Sequence, residues 1–176
     1  MEIVKTSIEG LVVIQPKVFE DERGYFMESY KESFINDHFT GIHFIQDNES
    51  KSSYGVLRGL HFQKPPFEQT KLVRVIQGEV LDVAVDLRKD SKTYGKYESI
   101  ILSEKNKKQV FIPKGFAHGF VVLSKETILN YKVDNYYNPE HESGLVYNDP
   151  TLNINWKIST NKLIISNKDL QLKTFK

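Results

Sequence analysis

Between positions 81 and 88, Leu81, Val83, Val85 and Leu87 alternate with Asp82, Ala84, Asp86 and Arg88. A period of two sets the four large apolar side chains on one side of an extended strand, whereas a helix would scatter them around its axis. The segment is predicted as a half-buried strand. The pair Gln77-Gly78 before it reads as a turn out of an earlier strand over residues 71–76. Further strands are predicted over residues 11–15, 25–30, 43–48, 57–63, 97–102, 109–112, 119–123 and 128–133. Many of these are rich in the Val, Ile, Tyr and Phe that suit a pleated surface. Turn signals separate them: Asp21-Glu22-Arg23-Gly24, Pro65-Pro66, Pro113-Lys114-Gly115 and Asn138-Pro139. Near the front only residues 31–39 read as a helix, with Phe34, Ile35 and Phe39 at helical spacing. The tail after Trp156 is more polar and reads as a short helix or an extended arm. About ten short strands in one compact chain predict an all-β sandwich or jelly-roll barrel of antiparallel strands with few short helices.

With 176 residues and no repeat, low-complexity tract or linker, residues 1–176 are expected to form a single domain. The chain has no cysteine, which excludes disulfides, zinc–thiolate sites and cysteine nucleophiles. Its 24 Lys+Arg against 23 Asp+Glu argue against a general nucleic-acid binder, although a small anionic ligand needs only a few local cations. No apolar run approaches the roughly 18 residues of a membrane span. The start, Met1-Glu2-Ile3-Val4-Lys5, lacks the basic-then-apolar form of a signal peptide, so the cytoplasm is the default expectation.

Five histidines are present. His38 and His43 flank the predicted helix among aromatics, and His141 lies in a polar loop; these read as surface or packed residues. His61 and His118 each stand on a predicted strand without polar neighbours. As core residues, each would need a buried hydrogen-bond partner. As functional residues, both are suited to proton transfer or metal ligation. The residue types alone leave both readings open.

The stretch from Gly55 to His61 and the set Pro113, Gly115 and His118 resemble the two motifs of the cupin superfamily. Gln63 stands where the second histidine of the first motif would be, leaving two histidines with Glu68 as a loose match for the acid. An amide oxygen is a weak ligand for zinc, iron or nickel, so no catalytic metal is expected. A finer pattern runs along nearly the whole chain. It comprises residues 19–26, Gln46-Asp47-Asn48, residues 56–63, Lys71-Leu72-Val73-Arg74, residues 82–88 and Ala117-His118-Gly119-Phe120. Tyr131-Lys132, Tyr136-Tyr137, Asn148-Asp149-Pro150 and Ser166-Asn167-Lys168-Asp169 follow. Taken in order, this set resembles the dTDP-4-dehydrorhamnose 3,5-epimerase family.

That resemblance implies a cupin-type jelly roll with an N-terminal strand arm and a C-terminal tail closing the site. It also implies inversion of C3 and C5 in a nucleotide-linked 4-keto-6-deoxyhexose, with no cofactor. Both carbons flank the C4 ketone, so both protons are acidified by enolate formation. In the gluco configuration both hydrogens lie on one face, where one base can take each in turn. The family's base falls on His61, its partner carboxylate on Asp169, its acid on Tyr131, and the cation near the C4 oxygen on Lys71. Its substrate contacts fall on Arg23, Glu28, Gln46, Asn48, Arg58, Lys71, His118, Tyr137, Glu142 and Lys168. The chemistry agrees: an imidazole titrates near 6.5 and a phenol near 10, and arginine presents a fork to phosphate oxygens. Family members are homodimers with an exchanged N-terminal strand, so Arg23 or Glu28 would complete a neighbour's site. Inversion of C3 alone or C5 alone stays open, as do another nucleotide sugar or heptose and a non-catalytic sugar-binding cupin. Residues 64–70 and 135–142 are the expected determinants of the choice of sugar.

Overall fold

A computed structural model of the chain describes residues 1–175. Two antiparallel sheets lie face to face. The first holds β1 (Glu2–Lys5), β2 (Val12–Gln15), β5 (Gln46–Ser53), β7 (Lys71–Gln77), β10 (Gln109–Ile112) and β12 (Glu126–Val133), in the spatial order β1-β2-β10-β7-β12-β5. The second runs β13 (Glu142–Gly144), β6 (Val56–Gln63), β11 (Phe116–Val122), β8 (Glu79–Asp86) and β9 (Tyr97–Ser103). The short β14 (Ile164–Ile165) adds to β6 in parallel. A separate hairpin joins β3 (Val18–Asp21) to β4 (Gly24–Met27). The helices are α1 (Glu32–His38) and the four-residue α2 (Asn167–Leu170), with two 3-10 turns. This is a jelly roll.

Three apolar layers hold it together. Val73, Val75, Val110, Ile112 and Leu129 of the first sheet meet Val80, Ala84, Leu102, Phe116, Phe120 and Val122 of the second. On the outer face of the first sheet, Ile35 of α1 packs on Val12, Ile14, Leu72 and Phe111. On the outer face of the second, the C-terminal segment lays Leu145, Leu152 and Trp156 over Leu57, Leu60, Leu81, Val83, Val85, Ala117 and Val121.

This layering corrects the expectation of a half-buried strand at 81–88. The apolar stripe Leu81, Val83, Val85 faces outward beneath the C-terminal segment, and the alternate stripe faces the interior of the roll, where Asp82 and Asp86 are buried. Both faces of β8 are therefore covered. The turn at Gln77-Gly78 is present, but it is a corner between sheets: β7 belongs to the first and β8 to the second. Gly78 has φ of +83°, and a Cβ there would stand 2.1 Å from the Glu126 carbonyl oxygen, so the corner requires glycine. The strand expected over 43–48 begins instead at Gln46 and extends to Ser53. Its residues carry no apolar alternation because it is an edge strand with only Ser52 buried. The strands β1, β13 and β14 carried no signal of their own. The predicted helix lies where expected.

Candidate active site

One end of the roll opens into a cavity of about 670 Å³ between the two sheets. His61 stands on β6 and His118 directly opposite it on β11, both in the second sheet. Tyr131 on β12 and Lys71 on β7 stand in the first sheet, and all four line the cavity. Tyr131 pairs with Val73 and Val133 with Lys71 across the strands, so Lys71 and Tyr131 share one face; the Lys71 Nζ lies 6.0 Å from the Tyr131 ring centre. The cavity thus has an imidazole wall and a phenol wall.

The second sheet can bring its two histidines together because β6 and β11 approach unusually closely beside them. A Cβ on Gly59 would lie 2.5 Å from the Gly119 Cα, and one on Gly119 would lie 2.7 Å from the Arg58 carbonyl oxygen. The register shifts here, between His118 and Phe120, and Gly59 adopts φ of +126°.

Each imidazole is held by a carboxylate. The His61 Nε2 lies 2.8 Å from the Asp169 Oδ1, and the His118 Nε2 lies 2.8 Å from the Asp82 Oδ2. An ionised carboxylate only accepts, so Nε2 carries the proton in both rings and Nδ1 keeps a free lone pair. Asp169 is buried, and its second oxygen accepts the Gly59 N–H at 3.2 Å. It rides on α2, whose N-cap Ser166 accepts the Asp169 N–H at 3.1 Å. The His61 side chain keeps 32% of its surface exposed, so its free nitrogen can reach a ligand.

Burial sets the charge states of the other groups. Desolvation pulls Lys71 down to about 8, with Asp82 opposing the shift. Desolvation also lowers His118, more than the Asp82 carboxylate raises it, and so favours the neutral ring. Tyr131 is pushed up by burial, with Arg58 opposing, and stays protonated. The cavity thus offers an imidazole held by a carboxylate, a protonated phenol and a cation that retains its charge at neutral pH.

The other residues singled out from the sequence fall into three groups. Asn48, Arg58 and Lys168 line the cavity, and Gln46 donates to the Asn48 Oδ1 at 2.8 Å. At the rim, Glu142 accepts from the Tyr137 hydroxyl at 2.5 Å and from the Lys168 Nζ at 2.6 Å; these bonds hold its carboxyl below its usual range against the effect of burial. Arg23 and Glu28 do not reach the cavity of their own chain. Arg23 sits in the β3–β4 hairpin, paired with Asp21, and Glu28 faces Lys31 at 3.5 Å. Gln63 is buried, and its Oε1 accepts the Asn138 N–H at 3.2 Å. Among the described residues, no three His, Asp or Glu side chains are placed to hold a metal ion. The sequence reading missed Ser166 as the cap beneath Asp169; a Ser three residues before an Asp is the signal that could have found it.

Fold and site together define a jelly-roll protein of the cupin type whose interior is arranged for proton transfer. Comparison with known proteins gives the family. The model of the dTDP-4-dehydrorhamnose 3,5-epimerase family matches residues 5–176. The dTDP-4-dehydrorhamnose 3,5-epimerase of Methanothermobacter thermautotrophicus is 52% identical over 167 residues, which is 94% of this chain and 90% of that protein. The crystal structure of the enzyme of that name from Elizabethkingia anophelis superposes with a TM-score of 0.94 at 52% identity, covering 99% of this chain and 96% of that one. A dTDP-6-deoxy-D-glucose-3,5-epimerase from Legionella pneumophila, solved with dTDP-4-keto-L-rhamnose, also gives a TM-score of 0.94, at 46% identity and covering 98% of this chain and 92% of that one. The chain belongs to the dTDP-4-dehydrorhamnose 3,5-epimerase family, whose members are isomerases.

Proposed function

We propose that the chain inverts C3 and C5 of dTDP-4-dehydro-6-deoxy-D-glucose to give dTDP-4-dehydro-L-rhamnose. His61 removes each proton through Nδ1, and Asp169 orients the ring and favours the imidazolium that forms. The electrons move to the C4 oxygen, and the Lys71 ammonium stabilises the enolate. The Tyr131 phenol returns a proton from the opposite wall. Its phenolate is then reprotonated from solvent, and His61 releases its proton there. The observation that carries this reading is the opposition of His61 and Tyr131 on facing sheets across one cavity. Asn48, Arg58, His118 and Lys168 hold the nucleotide end, with Tyr137 and Glu142 at the rim.

The working unit is a homodimer. The first sheet ends on β5, whose outer edge has no strand paired to it among the described residues, and an open edge invites another chain. The β3–β4 hairpin exposes Phe19, Tyr25 and Phe26 to solvent. Seating one chain's hairpin against a second copy covers both features and carries Arg23 and Glu28 to a cavity they cannot reach in their own chain.

The test is a panel of nucleotide-linked 4-keto sugars in D₂O, with products resolved by NMR. Deuterium at both carbons with inversion at both is expected for the dTDP-linked 6-deoxyhexose. Exchange at one carbon only, or none, would overturn the proposal.

A further inference from the structure

We propose that Asp149 is a positioning residue that sets the His61–Asp169 pair through the C-terminal strap; this rests on the role given to Asp169 above. Asp149 does not line the cavity and is 1% exposed, yet its carboxylate is fully engaged. One oxygen, Oδ1, accepts the N–H groups of Thr151 and Leu152, each at 2.9 Å, and so closes its own turn. The other, Oδ2, accepts the Phe175 N–H at 2.7 Å, far along the chain.

The span between Asp169 and Phe175 is what this second bond secures. A helix of four residues cannot hold its own position, so α2 takes its place from what anchors it on either side. Upstream, the Ile164 N–H donates to the Gly55 carbonyl at 2.8 Å and β14 runs beside β6. Downstream, Leu172 packs on Gly144, where a Cβ would meet its Cδ1 at 2.8 Å, and the Val146 N–H donates to the Lys173 carbonyl at 2.8 Å. The last downstream anchor among the described residues is Phe175, its ring 5.2 Å from that of Tyr94 and its N–H on Asp149. Releasing that end lets α2 shift, and the 2.8 Å contact between Asp169 and His61 is the contact that such a shift spoils.

Asp149→Asn separates the two functions of this carboxylate: the amide keeps an oxygen for the turn and turns an NH₂ toward the Phe175 N–H. Exchange of solvent deuterium into the dTDP-linked 4-keto sugar is expected to fall about tenfold in kcat, less than the ~10²-fold cost of a 1 Å misplacement, with KM nearly unchanged. In an Asp169→Asn background the same substitution is expected to cost nothing further, because its effect runs through Asp169. Phe175→Pro, which leaves the turn intact and removes the N–H that the Asp149 Oδ2 accepts, should reproduce the loss and its disappearance in that background; it decides the matter if Asp149→Asn fails to fold. Losses that multiply in the double variants, a change in KM alone, or an unchanged rate in folded protein overturn the inference. If Asp169→Asn by itself leaves exchange intact, the role assigned to Asp169 fails, and this inference with it.

Discussion

His61 enters the cavity with Nε2 held by Asp169, so Nδ1 is left as the nitrogen that can act as base. One base serving two carbons makes a sharp prediction: His61→Asn should abolish deuterium exchange at both C3 and C5, by ~10²–10⁴-fold, while nucleotide affinity stays nearly intact. Retained exchange at either carbon would reveal a second base. Tyr131→Phe separates abstraction from return. His61 can still form the enolate and hand a proton back to the face it left, so NMR in D₂O should show deuterium entering with retained configuration while inversion falls by ~10²-fold or more. Equal losses would mean that Tyr131 positions the sugar rather than protonating it. Lys71 gives the pH dependence. Its pKa of about 8 means that the cation is present below that pH and lost as pH rises through it, so kcat should decline on the alkaline side near 8. Lys71→Arg, protonated to beyond pH ~12, should remove that decline even if it lowers the plateau. Gln63 adds a further expectation, since an amide is a poor ligand: dialysis against a strong chelator should leave the rate unchanged.

Strands and turns place these groups, and the close contact of β6 with β11 is the one beside both histidines. Gly119→Ala would force a methyl to 2.7 Å from the Arg58 carbonyl oxygen and 3.1 Å from the Gly59 Cα, backbone atoms that cannot swing away. The expected cost is ~1–3 kcal/mol of stability, read by urea denaturation, with a further fall in exchange rate because His61 rides on the displaced strand. The elements that could be read from the sequence were those whose residues report a period. The stretch 81–88 declared a strand through alternation alone, and Phe34, Ile35 and Phe39 declared α1. The strand expected over 43–48 caught only the start of Gln46–Ser53, because an edge strand flanked by a cavity and solvent needs no apolar stripe to mark its extent. The three-residue β13 and two-residue β14 are shorter than any period, so only their partner β6 defines them.

For the molecule as a whole, the exchange of Arg23 between copies can be tested without a structure. Mixing inactive His61→Asn subunits with defective Arg23→Ala subunits creates, in each mixed dimer, one site with an intact base and an intact arginine if Arg23 serves its neighbour. With random pairing, about one quarter of wild-type activity should return. No recovery would mean that each Arg23 serves its own chain or that the subunits do not exchange, and subunit exchange followed by native mass spectrometry separates these. The limits of the sequence also lie at this scale. Residue types and spacing alone determined an all-β chain, one front helix, a neutral charge balance and the absence of thiol chemistry, because these depend on near neighbours along the chain. Motif order carried the family resemblance that singled out His61, Lys71, Tyr131 and Asp169. Only the tertiary structure decided which stripe of β8 faces inward, because a covering layer 60 to 75 residues further on, at Leu145, Leu152 and Trp156, reverses the ordinary rule that polar faces meet water. It also decided that His61 and Tyr131 occupy opposing walls and that Asp169 reaches His61. The first is a placement on strands of different sheets and the second a contact between residues 108 positions apart, and no local period encodes a distance across a cavity.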